Sequence, residues 1–379
     1  MIRRTLFESL RNSLKNGKVI ILTGPRQVGK TTLLKEIQNA FEGNSIWLNC
    51  DEPDVRQQLT NVTSTQLRML IGKADLVLID EAQRVKNIGL TLKLLIDNFQ
   101  DKKVIVTGSS ALELANEIQE PLTGRKIDFN LLPFSTEELV NHTTTLEEKR
   151  LLEHRLIYGH YPEVVLNEGN EETILRNICD SYLYKDIFSY QDVRKAEVIS
   201  SLLEALALQM GSEVSYQELS RLLKIDQATV TRYIDLLEKS FVVFRLRALS
   251  RNVRNEIGKS RKIYFYDNGI RNALIRNYQP LNLRNDKGAL WENFLVNERL
   301  KWLRYHQKQV NQFFWRTTQQ QEIDYIEESN GAFALFEFKF SANQRVKFSQ
   351  TFLQNYQVSS TALIHTDNYL DFVMEQELQ

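Results

Sequence analysis

Residues 23–32 read TGPRQVGKTT, and an apolar run, Val19-Ile20-Ile21-Leu22, leads into them. The run from Lys18 to Thr23 has the length and composition of a buried strand, and Thr31 to Ile37 continues as a helix. Between them, Gly24 and Gly29 allow the backbone to curl so that its N–H groups and the helix N-terminus face anionic oxygens. Gly24, Pro25, Arg26, Gln27, Val28, Gly29, Lys30, Thr31 and Thr32 are therefore the candidate nucleotide contacts. Lys30 is placed to reach the terminal phosphates and Thr31 to ligate magnesium.

The bulk properties limit what surrounds this loop. A chain of 379 residues exceeds the size at which one hydrophobic core stops growing, so two to four domains of about 100 residues are expected. Its 48 basic residues balance 48 acidic ones, which argues against a surface coated for indiscriminate nucleic-acid binding and leaves room for a local basic patch. Cys50 and Cys179 stand apart with no paired ligands nearby, so neither zinc nor a disulfide framework is expected, and a reducing compartment fits. No stretch has the length of a signal peptide or membrane span, and the expected location is the cytoplasm.

Downstream, Asp75 to Glu81 is an apolar strand ending in two carboxylates. A parallel sheet delivers such an end to the ligand crevice, where Asp80 would hold magnesium and Glu81 would orient and deprotonate the attacking water. Another apolar strand, Val104 to Gly108, runs into Ser109 and Ser110, whose hydroxyls are placed to sense the terminal phosphate. Arg125 follows a glycine turn just before a further strand, Lys126 to Leu132. It reads either as a catalytic finger donated to a neighbouring subunit or as a surface arginine.

With Ser45 to Asn49 as a second strand, these features resemble the AAA+ nucleotide-binding fold. More narrowly they resemble prokaryotic ATPases marked by GPRQVGKTT, by LIDEAQ at 78–83 and by LTGRKIDFNLLPFS at 122–135. Tyr158 to Val165, YGHYPEVV, is similar to that family's helical-lid motif, with His160 where a second small residue is expected. The resemblance extends over nearly the whole chain and implies ATP with Mg2+, and no Asn-Lys-x-Asp is present to favour guanine.

Residues 146–209 have helical spacing and are expected to form the lid and its extension. Ser215 to Glu218 reads as a capping box, Asp226 caps a second helix, and Phe241 to Leu246 reads as a strand. Helix, turn, helix, strand is the order of a winged helix, with Gln227, Thr229 and Arg232 left for contacts outside the core. Residues 245–276 hold nine Lys or Arg against Glu256 and Asp267, a local excess expected either to grip DNA phosphates or to form a solvated face.

Near the C-terminus, Gln321 to Ile326 and Ala334 to Phe340 read as strands, with period-two alternation placing Glu337 and Lys339 on one face. Asp324 followed by Glu337-x-Lys339 resembles the PD-(D/E)xK nuclease core, with Glu292 where that superfamily adds a fourth acid. The resemblance implies that Asp324 and Glu337 bind magnesium, that Lys339 orients the nucleophilic water, and that Glu292 supports the ion. A solvent-exposed face with a salt pair is the competing reading.

The expected architecture is α/β: an AAA+ P-loop parallel sheet (1–140) with a helical lid and connector (141–209), a winged helix (210–280) and a restriction-endonuclease-like domain (281–379). The expected function is Mg-dependent ATP hydrolysis coupled to a tail acting on DNA, in a chain open to homo-oligomer formation. Two alternatives stand beside it: an ATP-controlled protein-docking regulator with an inert tail, and a metal-dependent nuclease gated by ATP.

Overall fold

A computed structural model describes residues 2–108, 121–183, 196–250, 261–317, 319, 321–344 and 346–374. The chain divides into two compact units, one comprising Met1–Pro133 with Lys239–Phe241, the other Phe134–Glu238 with Val242–Gln379.

The first unit runs α1 (Leu6–Ser13), β1 (Val19–Thr23), α2 (Lys30–Asn39), β2 (Ser45–Asn49), α3 (Pro53–Leu59), α4 (Ser64–Ile71), β3 (Leu76–Asp80), α5 (Ile88–Asn98), β4 (Lys103–Gly108) and β5 (Lys126–Asn130). Its five strands pair in parallel in the order β2-β3-β4-β1-β5. Val19, Ile21, Val77, Ile79, Val104 and Val106 join Leu92 and Leu95 of α5 in one buried cluster, while Ile20, Leu22, Leu76, Leu78 and Ile105 are buried as well. Burial on both faces is why these strands read as continuous apolar runs. Each such side chain contributes about 1.5–3 kcal/mol.

The second unit opens with α6 (Thr136–His142), α7 (Thr145–Arg150), α8 (Leu152–Tyr158), α9 (Pro162–Leu166) and α10 (Glu171–Asn177), which leads into a π-helical stretch, Ile178–Leu183. Next come α11 (Ala196–Leu208), α12 (Tyr216–Leu223), α13 (Gln227–Lys239), β6 (Val243–Ala248), β7 (Arg261–Phe265), α14 (Asn268–Leu274) and α15 (Lys287–Tyr305). It closes with β8 (Asn311–Arg316), β9 (Glu322–Ser329), β10 (Ala332–Phe338), α16 (Gln350–Asn355), β11 (Val358–Ile364) and α17 (Tyr369–Met374).

One mixed sheet of six strands, ordered β11-β10-β9-β8-β6-β7, spans this unit. The division expected at 280/281 therefore does not separate two sheets. β6 pairs in parallel with β8 through Arg247–Phe313 and Ala248–Phe314, a long-range pairing that local patterning does not encode. The 141–209 segment likewise clusters with the C-terminal half. At the α8–α9 corner, Gly159 has φ of +75°, and a Cβ there would lie 2.0 Å from the Asp267 carboxylate. That carboxylate accepts from the His160 backbone N–H at 2.7 Å and caps α14 by accepting from Ile270 N–H at 3.1 Å. His160 is buried, its Nδ1 2.9 Å from Phe134 O and 3.3 Å from Glu298 Oε1, so the larger residue is matched by internal partners.

α15 is buried over most of its length, including the charged residues Glu298, Arg299 and Lys301. Arg299 donates to Glu327 at 2.7 and 2.9 Å, and Lys301 Nζ donates to Glu298 Oε1 at 2.6 Å. Buried ions need such partners, since removing one of a pair costs about 3–5 kcal/mol.

Candidate functional site

The loop of residues 24–30 leaves the buried end of β1 and enters α2 at Gly29, which has φ of +95°. Gly24 lies so close to the chain beyond β5 that a Cβ would sit 1.9 Å from the Leu131 carbonyl oxygen. Glycine is required there by contact rather than by loop flexibility. Lys30 is buried, and its Nζ donates to the carbonyls of Gly24 at 2.9 Å and Pro25 at 2.8 Å, holding the ammonium inside the curl.

Thr31, in the first turn of α2, donates its hydroxyl to Asp80 Oδ2 at 3.0 Å. The other carboxylate oxygen of Asp80 accepts from the Thr107 hydroxyl, and the Thr107 oxygen accepts from Glu81 N–H at 3.1 Å. Glu81 has φ of +54°, a left-handed conformation that costs a side-chain-bearing residue about 1 kcal/mol or more. Its carboxylate accepts from the Gln83 amide. The hydroxyl, the two acids and the threonine of β4 thus form one connected set at the C-terminal edge of the parallel sheet, beside the loop. This donor set fits a magnesium-bound triphosphate: a caged ammonium, a helix N-terminus, and a hydroxyl touching a carboxylate. At the tip of β2, Cys50 is buried near this set, and burial, with Asp80 adding to it, pushes its thiol up to about 12.

Arg125 lies elsewhere. It precedes β5, its carbonyl accepts from Val19 N–H at 3.0 Å, and its Nε donates to Asp97 at 2.8 Å. That is the N-terminal edge of the sheet, about 13 Å along the strands from Thr23 at the usual rise per residue. Arg125 is not brought to its own loop. Ser109 lies outside the described residues.

In the second unit, Lys339 Nζ stands 3.8 Å from Asp324 Oδ2 and 3.7 Å from Glu337 Oε2, and Phe338 N–H donates to Asp324 at 2.9 Å. Glu337 and Phe338 are both buried, so the strand end is covered on both faces instead of alternating between core and solvent. Burial, reinforced by the Asp324 charge, pushes the Glu337 carboxyl up to about 8. Glu292 also belongs to this neighbourhood, but its carboxylate accepts from Lys262 Nζ at 2.9 Å and from Tyr264 OH at 2.6 Å. Among the described residues, no three acids, histidines or cysteines are gathered closely enough to hold a metal ion.

Among the described residues of the basic segment, Arg245, Lys262 and Arg271 are spent on acidic partners inside the second unit. Arg245 pairs with Glu238 and with Asp235 at 2.7 Å. Lys262 is buried, and Arg271 is buried against Asp286. Arg261 lies over the Tyr216 ring at 4.9 Å, whereas Arg247 and Arg276 are exposed. Arg251, Arg254 and Lys259 lie outside the described residues. The excess counted along the sequence therefore overstates the charge offered to a partner, because burial hides its neutralisation.

A family model described as an AAA domain matches residues 16–140. The chain carries a P-loop ATPase domain. Two further models, each described as a domain of unknown function, match residues 149–284 and 287–376. An uncharacterized protein of Mycobacterium tuberculosis is 27% identical over 369 residues, covering 96% of this chain and 80% of the relative. An uncharacterized protein of Haemophilus influenzae is 26% identical over 303 residues, covering 73% of this chain and 72% of the relative. Among solved structures, a Walker-type ATPase of Pyrococcus abyssi is similar in fold, with a TM-score of 0.51 and 17% identity over 73% of this chain and 96% of that one.

Two residues that sequence patterns did not single out complete the P-loop ATPase domain. Thr107 is the last hydroxyl of an apolar strand, and only the register with β3 reveals that it bridges Asp80 and Glu81. Arg4 is buried, and donates to the carbonyls of Val28 and Leu132, each at 2.6 Å. Because a trans peptide points its carbonyl and N–H in opposite directions, holding the Val28 carbonyl also orients the Gly29 N–H. No helix among the described residues is long and apolar enough to cross a membrane.

Proposed function

We propose that the chain hydrolyses ATP with magnesium at the loop of residues 24–32 and uses its nucleotide state to control the second unit. The observation that carries this reading is the run of contacts from Thr31 through Asp80 and Thr107 to Glu81. Phosphoryl transfer depends mainly on positioning and charge stabilisation, which such a preorganised set supplies. Lys30 would take the terminal phosphates, Thr31 and Asp80 would hold the ion, and Glu81 would orient and deprotonate water. Magnesium, when bound, neutralises phosphate charge. Arg125, at the far edge of the sheet, serves a neighbouring copy in this reading. The test is phosphate release by the purified protein: Lys30→Ala abolishes it, and undiminished release would overturn the assignment.

For the second unit, the order α11, a bridge between Glu213 and Lys262, α12, α13 and the β6–β7 hairpin supports a winged helix, with Gln227 and Arg232 exposed for DNA. Ser215 and Asp226 both cap their helices, accepting from Glu218 N–H at 3.3 Å and Thr229 N–H at 2.8 Å. A protein-docking role with an inert tail is the second reading. It is favoured by the internal pairing of Arg245, Lys262 and Arg271. DNA contact predicts a complex that weakens as salt rises, while the docking reading predicts none at low salt.

A further inference from the structure

Four carboxylates of the second unit, from Glu292, Glu322, Asp324 and Glu337, lie about two ammonium groups. Lys339 takes Asp324 and Glu337, at 3.8 and 3.7 Å. Lys262 takes the other two: its Nζ is 2.9 Å from Glu292 Oε1 and 2.7 Å from Glu322 Oε1, and the side chain is only 3% exposed. The lysine comes from β7, Glu292 from α15 and Glu322 from the start of β9, so the whole fold is needed to bring them together. The ammonium lies 5.4 Å from the centre of the Phe314 ring, and Tyr264 supplies a second donor to the oxygen of Glu292 that Lys262 engages.

We propose that Lys262 is the resident cation of this acid cluster, occupying the place a divalent ion would need between Glu292 and Glu322. A partly buried carboxylate pair is stabilised by a counter-charge, and an ammonium with several directed donors provides it without any exogenous ligand. The spacing agrees. The carboxylate oxygens lie 2.7–2.9 Å from the nitrogen, the ordinary distance of a charge-assisted hydrogen bond to an ammonium. Lys262 also divides the acids, leaving Glu292 committed to one lysine while Asp324 and Glu337 share the other. The Glu292–Glu322 side of the tail site is consequently closed to metal as folded, and Lys262 acts there as a structural cation rather than as a grip on phosphates. This goes beyond the ATPase reading and stands independently of it.

The test is Mn2+ binding to the full-length, nucleotide-free protein, read from the loss of the free-ion electron paramagnetic resonance signal. Binding by the wild type is expected to be unchanged by Glu292→Gln. Lys262→Ala, with a native near-ultraviolet circular dichroism spectrum, is expected to gain one equivalent at least tenfold tighter than any wild-type binding, and adding Glu292→Gln removes it. A wild-type equivalent lost in Glu292→Gln would overturn the proposal, as would a folded Lys262→Ala protein that gains nothing. Should Lys262→Ala fail to fold, the comparison of wild type with Glu292→Gln decides alone.

Discussion

The hydroxyl of Thr31 donates to the carboxylate of Asp80 across 3.0 Å, joining the start of α2 to the end of β3, 49 residues apart in sequence. The same carboxylate is held from its other side by Thr107, which also receives the Glu81 N–H. The groups proposed to hold the ion and to orient water therefore share one support, and disturbing that support has consequences for both.

Thr107→Val keeps the shape of the side chain and removes the bridging hydroxyl. ATP turnover is expected to fall about 10–100-fold, the usual cost of losing a partner behind a metal ligand. Thr107→Ser restores most of it. Turnover equal to wild type in the valine variant would show that Asp80 and Glu81 are positioned by other contacts.

Gly24→Ala places a methyl group 1.9 Å from the Leu131 carbonyl oxygen unless the loop moves. The variant is expected to lose about 1–3 kcal/mol of stability from overpacking and to bind nucleotide poorly. Thermal melts and nucleotide titration of the same sample read both effects.

Arg125→Ala leaves the loop's own geometry intact, since its ion pair is with Asp97 at the opposite sheet edge. Nucleotide affinity is expected to remain within twofold while turnover falls by about 10³, the range for an arginine finger. Mixing with Lys30→Ala protein, which retains Arg125, is expected to recover part of the loss. A turnover unaffected by Arg125→Ala would make the residue a surface ion-pair partner.

The phosphate loop and the parallel strands were legible because each is a local pattern: an apolar run, a glycine turn, acids at a strand end. Thr107 and Arg4 carried no such pattern, since their roles arise from strand register and from a contact 24 residues away. Lys262 was misjudged for a related reason. Counting charge along 245–276 cannot distinguish a lysine facing solvent from one facing Glu292 and Glu322, and only the long-range assembly of β7, α15 and β9 does so. That one sheet runs across the division expected at 280/281 was not legible either, because the partner of β6 is a strand about 65 residues downstream whose pairing local sequence does not specify.

Asp286 gives a pH signature. Burial opposes its ionisation, but Arg284 and Arg271 hold its carboxyl at about 2, below the ordinary 3.8. A depressed carboxyl contributes stability that is present above the ordinary value and lost as pH falls through the folded one. The unfolding free energy is expected to drop between pH 3.8 and about 2. Asp286→Asn removes that component and strands two buried guanidinium groups, destabilising the protein at neutral pH toward the low end of about 3–5 kcal/mol. Denaturant melts across this range, in both proteins, measure the difference.

The most direct measurement is ATP binding and turnover by Glu81→Gln beside wild type, in the same buffer with magnesium. The carboxylate and amide are nearly isosteric, and the account predicts nucleotide affinity within about threefold of wild type with turnover reduced by at least about 10². Equal turnover in the two proteins, or no nucleotide binding by either, would contradict it.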